Sequence, residues 1–123
     1  MILADTSIWI EFFQKDPLVF SDFKLLLEKG QILSVDCIFG ELLQGAKNAR
    51  ERNIINNYWT AIAHVTVPDL FIKAGIFSSE NKMTTKGVGL IDCVIVVAAR
   101  SVDAKVWTLD KKLVNILKPG EIY

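Results

Sequence analysis

A single histidine, His64, is all the imidazole this 123-residue chain carries, and its two cysteines, Cys37 and Cys93, lie far apart with no CxxC or Cys/His spacing. A zinc centre and a disulfide framework therefore both lack their ligands, and both thiols are expected as small buried apolar groups. Net charge is missing too. Fourteen Lys and Arg balance fourteen Asp and Glu, so the overall field does not draw the chain onto nucleic acid, and any such contact must rest on a local patch. The longest apolar stretch, around Val94 to Ala99, is closed by Asp92 and Arg100, well short of the roughly 20 residues a membrane helix needs. Neither a basic leader nor a small-residue cleavage site is seen at the amino terminus, so a cytoplasmic protein with no membrane partner is expected. Repeats, low-complexity segments and a P-loop are absent as well.

What the chain does have is apolar mass. Hydrophobic residues make up 51% of it, more than a soluble domain usually carries, which points to some apolar surface being covered by a partner. Its length suits one domain spanning residues 1–123.

The first ten residues set the pattern. Met1 to Ala4 is an unbroken apolar run that stops at Asp5-Thr6-Ser7, and Ile8, Trp9, Ile10, Phe12 and Phe13 then resume with helix-like crowding. An apolar run without alternation suits a strand covered on both faces, in the middle of a parallel sheet. Asp16-Pro17 reads as a break and helix start, with Phe20, Phe23, Leu26 and Leu27 at helical spacing up to Gly30. Gln31 to Val35 reads as a second strand, followed by Asp36 as N-cap of a helix closed by Gly45. Arg50 to Ala63 reads as a helix, His64 to Val67 as a third strand, and Pro68-Asp69 as the opening of another helix through Phe77. Met83 to Gly89 is polar and reads as a loop, Leu90 to Val102 as a helix, and Lys105 to Leu109 as a fourth strand. Asp110 then caps a short helix, and Glu121 to Tyr123 offers an edge strand. This alternation predicts a three-layer α/β/α sandwich around a central, mainly parallel sheet of four to five strands.

In such a sheet, working groups stand beyond the carboxyl ends of the strands. Asp5 and Asp110 follow strands, and Asp92 falls in the first turn of a helix, where a negative charge is favoured. Each could be a helix cap and nothing more. Glu41 shares a helix face with Ile38 and Gly45, a mostly inward stripe on which an unpaired carboxylate is costly. Four carboxylates at one rim would raise one another's pKa unless a cation neutralised them. Oxygen-only ligands favour Mg²⁺ or Mn²⁺, and a site of that kind suits phosphodiester hydrolysis without a histidine base. His64 itself reads as packing or surface.

At this point the ordered set of motifs becomes recognisable. Asp5-Thr6-Ser7, Glu41-Leu42-Leu43-Gln44-Gly45, the run Gly89 to Ala99 around Asp92, and Thr108-Leu109-Asp110-Lys111-Lys112-Leu113 resemble the PIN-domain ribonucleases, in particular the VapC-type toxins of toxin–antitoxin pairs. The resemblance spans essentially the whole chain. It implies that Asp5, Glu41, Asp92 and Asp110 are the catalytic, metal-binding quartet and that Thr6, Ser7 and Thr108 are supporting hydroxyls. It further implies Mg²⁺- or Mn²⁺-dependent cleavage of RNA, tRNA and other structured RNAs included, a homodimer, and a cognate antitoxin whose tail covers the site. Two departures concern packing: the bulky Val94-Ile95-Val96-Val97 run and Leu113, where the family often has phenylalanine.

Lys47, Lys86, Lys111 and Lys112 flank the acids and are the candidates for RNA phosphates. Trp9, Phe12, Phe13, Tyr58 and Trp59 are expected in the core, with some free to form a groove for an antitoxin helix. Three other readings compete. A receiver-type signalling domain would need paired acids after its first strand, whereas Asp5 stands alone. A nucleotide-binding domain finds GxG in Gly87-Val88-Gly89, but its third glycine position is Asp92, whose charge would repel a pyrophosphate. A catalytically silent module of the same fold would not need the quartet.

Overall fold

The computed structural model describes all 123 residues. Four short strands, β1 (Ile2–Ala4), β2 (Ile32–Ser34), β3 (Ala63–His64) and β4 (Lys105–Trp107), form one sheet in the order β3-β2-β1-β4, every pair parallel. β1 lies between β2 and β4, with Leu3 opposite Leu33 on one side and Val106 on the other. All three of its residues are buried, which accounts for an apolar run with no polar alternation.

Seven α-helices supply the outer layers: α1 (Thr6–Phe13), α2 (Phe20–Glu28), α3 (Asp36–Gln44), α4 (Ala49–Ala61), α5 (Leu70–Glu80), α6 (Leu90–Ser101) and α7 (Lys111–Ile116). Helices α1 to α4 pack on one another, and α5 packs on α6. The result is the three-layer α/β/α sandwich expected from the alternation of strand and helix.

Thirty buried hydrophobic residues form one continuous core. Its densest part is the fully buried Trp9, whose ring lies 4.8 Å from Phe23, 5.0 Å from Phe39 and 5.6 Å from Tyr58, all edge-on. Such pairs add about 0.5–1.5 kcal/mol each beyond burial. The Trp9 indole N–H has no hydrogen-bond partner.

Several local expectations are corrected. Helix α2 starts at Phe20 instead of Pro17; Asp16 instead accepts the Leu18 N–H at 2.8 Å and makes a local turn. Asp36 is the first residue of α3, not its cap, because Val35 still has extended geometry and occupies the cap position. Gly45 closes α3 in right-handed geometry at φ −83°, without the left-handed turn that favours glycine. β3 is only two residues long and starts at Ala63, and α4 ends at Ala61. The polar loop before α6 contains a 3₁₀ turn, Met83–Lys86. β4 stops at Trp107, and Thr108 just beyond it gives its hydroxyl to Asp5. At the carboxyl terminus a 3₁₀ turn occupies Pro119–Glu121, and Ile122 makes one parallel bridge to Val106 in place of an edge strand.

Candidate active site

Asp5 leaves β1 at its carboxyl end and is 6% exposed. Three donors meet its carboxylate: the Ser7 hydroxyl at 2.5 Å and the Ile8 N–H at 3.3 Å on Oδ1, and the Thr108 hydroxyl on Oδ2. The Ile8 contact makes Asp5 the N-cap of α1, so the capping role and a place in a site are held by one side chain. Burial pushes the Asp5 pKa up, opposed by these hydrogen bonds. Ser7 Oγ also accepts the Leu109 N–H at 3.0 Å, and Thr108 Oγ1 accepts the Asp110 N–H at 3.0 Å. Two hydroxyls thus stitch the end of β1 to the segment leaving β4. Asp110 caps α7, accepting the Lys112 N–H at 2.9 Å.

Glu41 comes in from α3, where its Oε1 accepts the Thr6 hydroxyl at 2.7 Å. Its side chain is exposed, which corrects the expectation of an inward stripe: the buried face of α3 is Ile38, Phe39 and Leu42, and Glu41 lies on the wet edge beside it. Asp92, in the first turn of α6, is half-buried. Burial raises its pKa most, followed by the charges of Asp110, Asp5 and Glu41. Asp92 therefore stands within Coulombic range of the other three acids.

No lysine or arginine relieves them. The ion pair within 4 Å in this structure is Arg100 with Glu121, at 3.3 Å, away from the quartet. In their present positions no three Asp, Glu, His or Cys side chains converge closely enough to ligate one ion. Glu41, Asp5 and Asp110 are each turned to a hydroxyl or backbone donor. By donor chemistry the set suits a hard divalent cation, since every candidate ligand is a carboxylate oxygen.

The four lysines flank this rim unevenly. Lys47 is exposed just after α3, its N–H 3.2 Å from Glu51 Oε1. Lys86 ends the 3₁₀ turn before α6, and Lys111 and Lys112 open α7. A methyl group on Gly87, which sits at φ +73°, would lie 3.5 Å from Lys112 Nζ. The Lys112 side chain therefore reaches over to the loop that leads into Asp92. Among the aromatic residues, Trp9 and Phe12 are core, whereas Phe13, Tyr58 and Trp59 are partly exposed. His64 stacks on Trp59, ring centroids 3.5 Å apart. Cys37 is held inert, its thiol pushed up to about 12 by burial and by the charges of Asp36 and Glu41.

Asp36 was read only as a cap, although it follows β2 as Asp5 follows β1. The rule that singled out Asp5 applied equally there. Its exposed carboxylate borders a cavity at the end of β3.

The PIN domain family model matches residues 2–118. The chain belongs to the PIN domain family. Among solved structures, this PIN domain is similar to a chain of a toxin–antitoxin complex from Klebsiella pneumoniae, with a TM-score of 0.71, 20% identity, and coverage of 98% of this chain and 94% of that one. It is equally similar to a chain of VapBC2 from Rickettsia felis bound to a DNA fragment from their promoter, with a TM-score of 0.70, 21% identity, and coverage of 99% and 96%. At that identity the likeness speaks for the fold. No curated protein matches the PIN domain sequence significantly. No helix in it is long and apolar enough to cross a membrane.

Proposed function

We propose that this PIN domain is a Mg²⁺- or Mn²⁺-dependent endoribonuclease and the toxin of a toxin–antitoxin pair, working in the cytoplasm. One observation carries the reading: four carboxylates share a rim with no basic side chain paired to them, and three of them oppose ionisation of the fourth, Asp92. A divalent ion bound there would supply charge neutralisation at a phosphate and at the leaving oxygen.

The chain's own groups divide the remaining work. Ser7, Thr108 and the Ile8 N–H fix the orientation of Asp5. Thr6 does the same for Glu41. Asp92, whose pKa is raised by burial and by the charges of its three neighbours, is the acceptor for the proton released by the attacking water. Lys86 and Lys112 meet the phosphates on either side.

Two partner surfaces accompany this reading. Cavities of about 340 and 470 Å³ share Phe13, Gln14, Glu51 and Ile55 and lead to Glu41. With Ile10 and Ile54 exposed along it, this groove suits the apolar face of an antitoxin helix whose continuation would cover the acids. On α5, Ile72 and Ile76 are 66% and 54% exposed and share one helix face, the surface for a homodimer.

The test is cleavage of single-stranded and structured RNA with Mn²⁺. Asp5→Asn and Asp92→Asn are expected to lose at least about 100-fold in rate while keeping the wild-type circular dichroism spectrum, since group-specific catalytic losses run to that size. Undiminished metal-dependent cleavage by both variants refutes the assignment.

A further inference from the structure

A second feature lies on the same rim. Residues leaving β2 (Val35, Asp36) and β3 (His64 to Val67) enclose, with Trp59 and the start of α5, a cavity of about 230 Å³. β3 is separated from β1 by β2 alone, so this cavity opens about 10 Å, two strand spacings, from Asp5. It is smaller than the roughly 300–1,000 Å³ of sites for drug-sized ligands. That is space for one flat ring system.

Its walls are of two kinds. Val65, Val67 and Leu70 make an apolar floor. Trp59 and His64, which also line the cavity, are stacked with centroids 3.5 Å apart and rings 9° from parallel, and Phe39 packs behind Trp59 at 5.0 Å in a tilted contact. The imidazole is locked in place because its Nε2 lies 2.6 Å from the Trp59 carbonyl oxygen. A carbonyl only accepts, so Nε2 carries a proton. The stacked pair ends at the exposed His64, where one more ring would extend it. Asp36 sets the polar edge, an exposed carboxylate with no ion-pair partner.

An apolar floor, an aromatic platform and an acceptor at one edge are the elements by which proteins hold unpaired bases. We propose that this cavity is a base-binding subsite that takes one unpaired nucleobase beside the cleaved phosphate and prefers a base with an exocyclic amine, guanine foremost. Guanine's Watson–Crick edge offers two adjacent N–H donors to a single carboxylate, whereas uracil offers one N–H flanked by two carbonyl oxygens that a carboxylate repels. The proposal rests on the nuclease reading for its place beside a cleaved bond, but base binding can be measured without cleavage.

The experiment has two arms. In the first, 5′-GMP and 5′-UMP are titrated without divalent ion into ¹⁵N-labelled full-length protein, following the Trp59 indole and His64 ring resonances with those of Trp9 and Trp107 as internal controls. GMP is expected to shift Trp59 and His64 saturably and to bind at least about five-fold more tightly than UMP, with Asp36→Asn abolishing that preference, as one good carboxylate-to-base contact allows. Silence of both resonances, or an Asp36→Asn variant that keeps the preference, overturns the proposal. So do shifts that follow protein concentration instead of nucleotide, because the cavity would then close on a second copy. In the second arm, oligoribonucleotides with G or U beside the cleaved bond are compared in Mn²⁺, and the G-to-U rate ratio is expected to collapse toward one in Asp36→Asn. GMP binding with no oligonucleotide cut would sink the nuclease reading and leave the base site standing; RNA cleavage with no nucleotide response would do the reverse.

Discussion

Thr108 donates its hydroxyl to Asp5 Oδ2 and accepts the Asp110 N–H on the same oxygen. One side chain thus sets the orientation of an acid that follows β1 and the backbone of an acid that follows β4. Replacing it with valine keeps the shape and removes both bonds. Because Thr108 is buried, Thr108→Val is expected to cost about 1–3 kcal/mol by leaving Asp5 Oδ2 and the Asp110 N–H short of partners. It should also slow cleavage. Thr108→Ser, which retains the hydroxyl, should recover most of the activity; chemical denaturation and a cleavage assay on the pair read both effects.

Asp5 and Asp92 give a pH signature. Burial, and for Asp92 also the charges of Asp110, Asp5 and Glu41, raise both above the ordinary carboxylate value in the folded state. A raised acid is protonated more readily folded than unfolded, so its ionisation weakens the fold at neutral pH, and that cost disappears as pH falls through the raised folded value. Asp92→Asn should therefore melt higher than wild type at pH 7 in metal-free buffer. The gap should narrow on acidification and close below the ordinary value. A gap that widens toward low pH contradicts the crowding of these carboxylates.

Divalent ion should reverse that order. An ion bound by the folded chain alone stabilises it by about 2.7 kcal/mol at one hundred times its Kd, so Mn²⁺ is expected to raise the wild-type melting temperature by several degrees. The same addition to Asp5→Asn or Asp92→Asn should do little. Equal shifts in all three proteins would place the ion elsewhere.

Trp9 supplies a test of packing. Its indole N–H is buried without a partner, a state that costs about 1–3 kcal/mol, and this offsets what is lost when the ring is trimmed. Trp9→Phe is expected to stay within about 1.5 kcal/mol of wild type. Phe23→Ala, at a fully buried position beside it, should lose about 3–5 kcal/mol. Urea denaturation of the two variants separates them.

Strong periodicity made most of the architecture legible. The unbroken run before Asp5 marked a central strand, and the apolar stretch after Asp92 marked α6, because long or uniform patterns override local ambiguity. Short elements were harder. β3 holds two residues, too few for any alternation, and Ile122 pairs with Val106 through a contact that nothing near it in the chain announces. Periodicity does not settle which way Glu41 faces: one acid in a short amphipathic helix lies near the boundary of its apolar stripe, and a small rotation decides between core and solvent. The Thr6 hydroxyl, which receives no mark from periodicity, is what holds Glu41 at the site. The cavity beside β3 could not be read at all, since Trp59, His64 and Asp36 come from α4, β3 and α3 and meet only when the sheet has formed.

The strand order has a consequence for synthesis. β1 is the first strand made, yet it needs β4, made last, along its other edge, and Asp110 lies beyond β4 still. A ribosome that has delivered two-thirds of this chain has not yet delivered Asp92 or the hydroxyl of Thr108 that orients Asp5. The acidic rim is therefore completed only when the final segment emerges, and whatever activity depends on it begins no earlier.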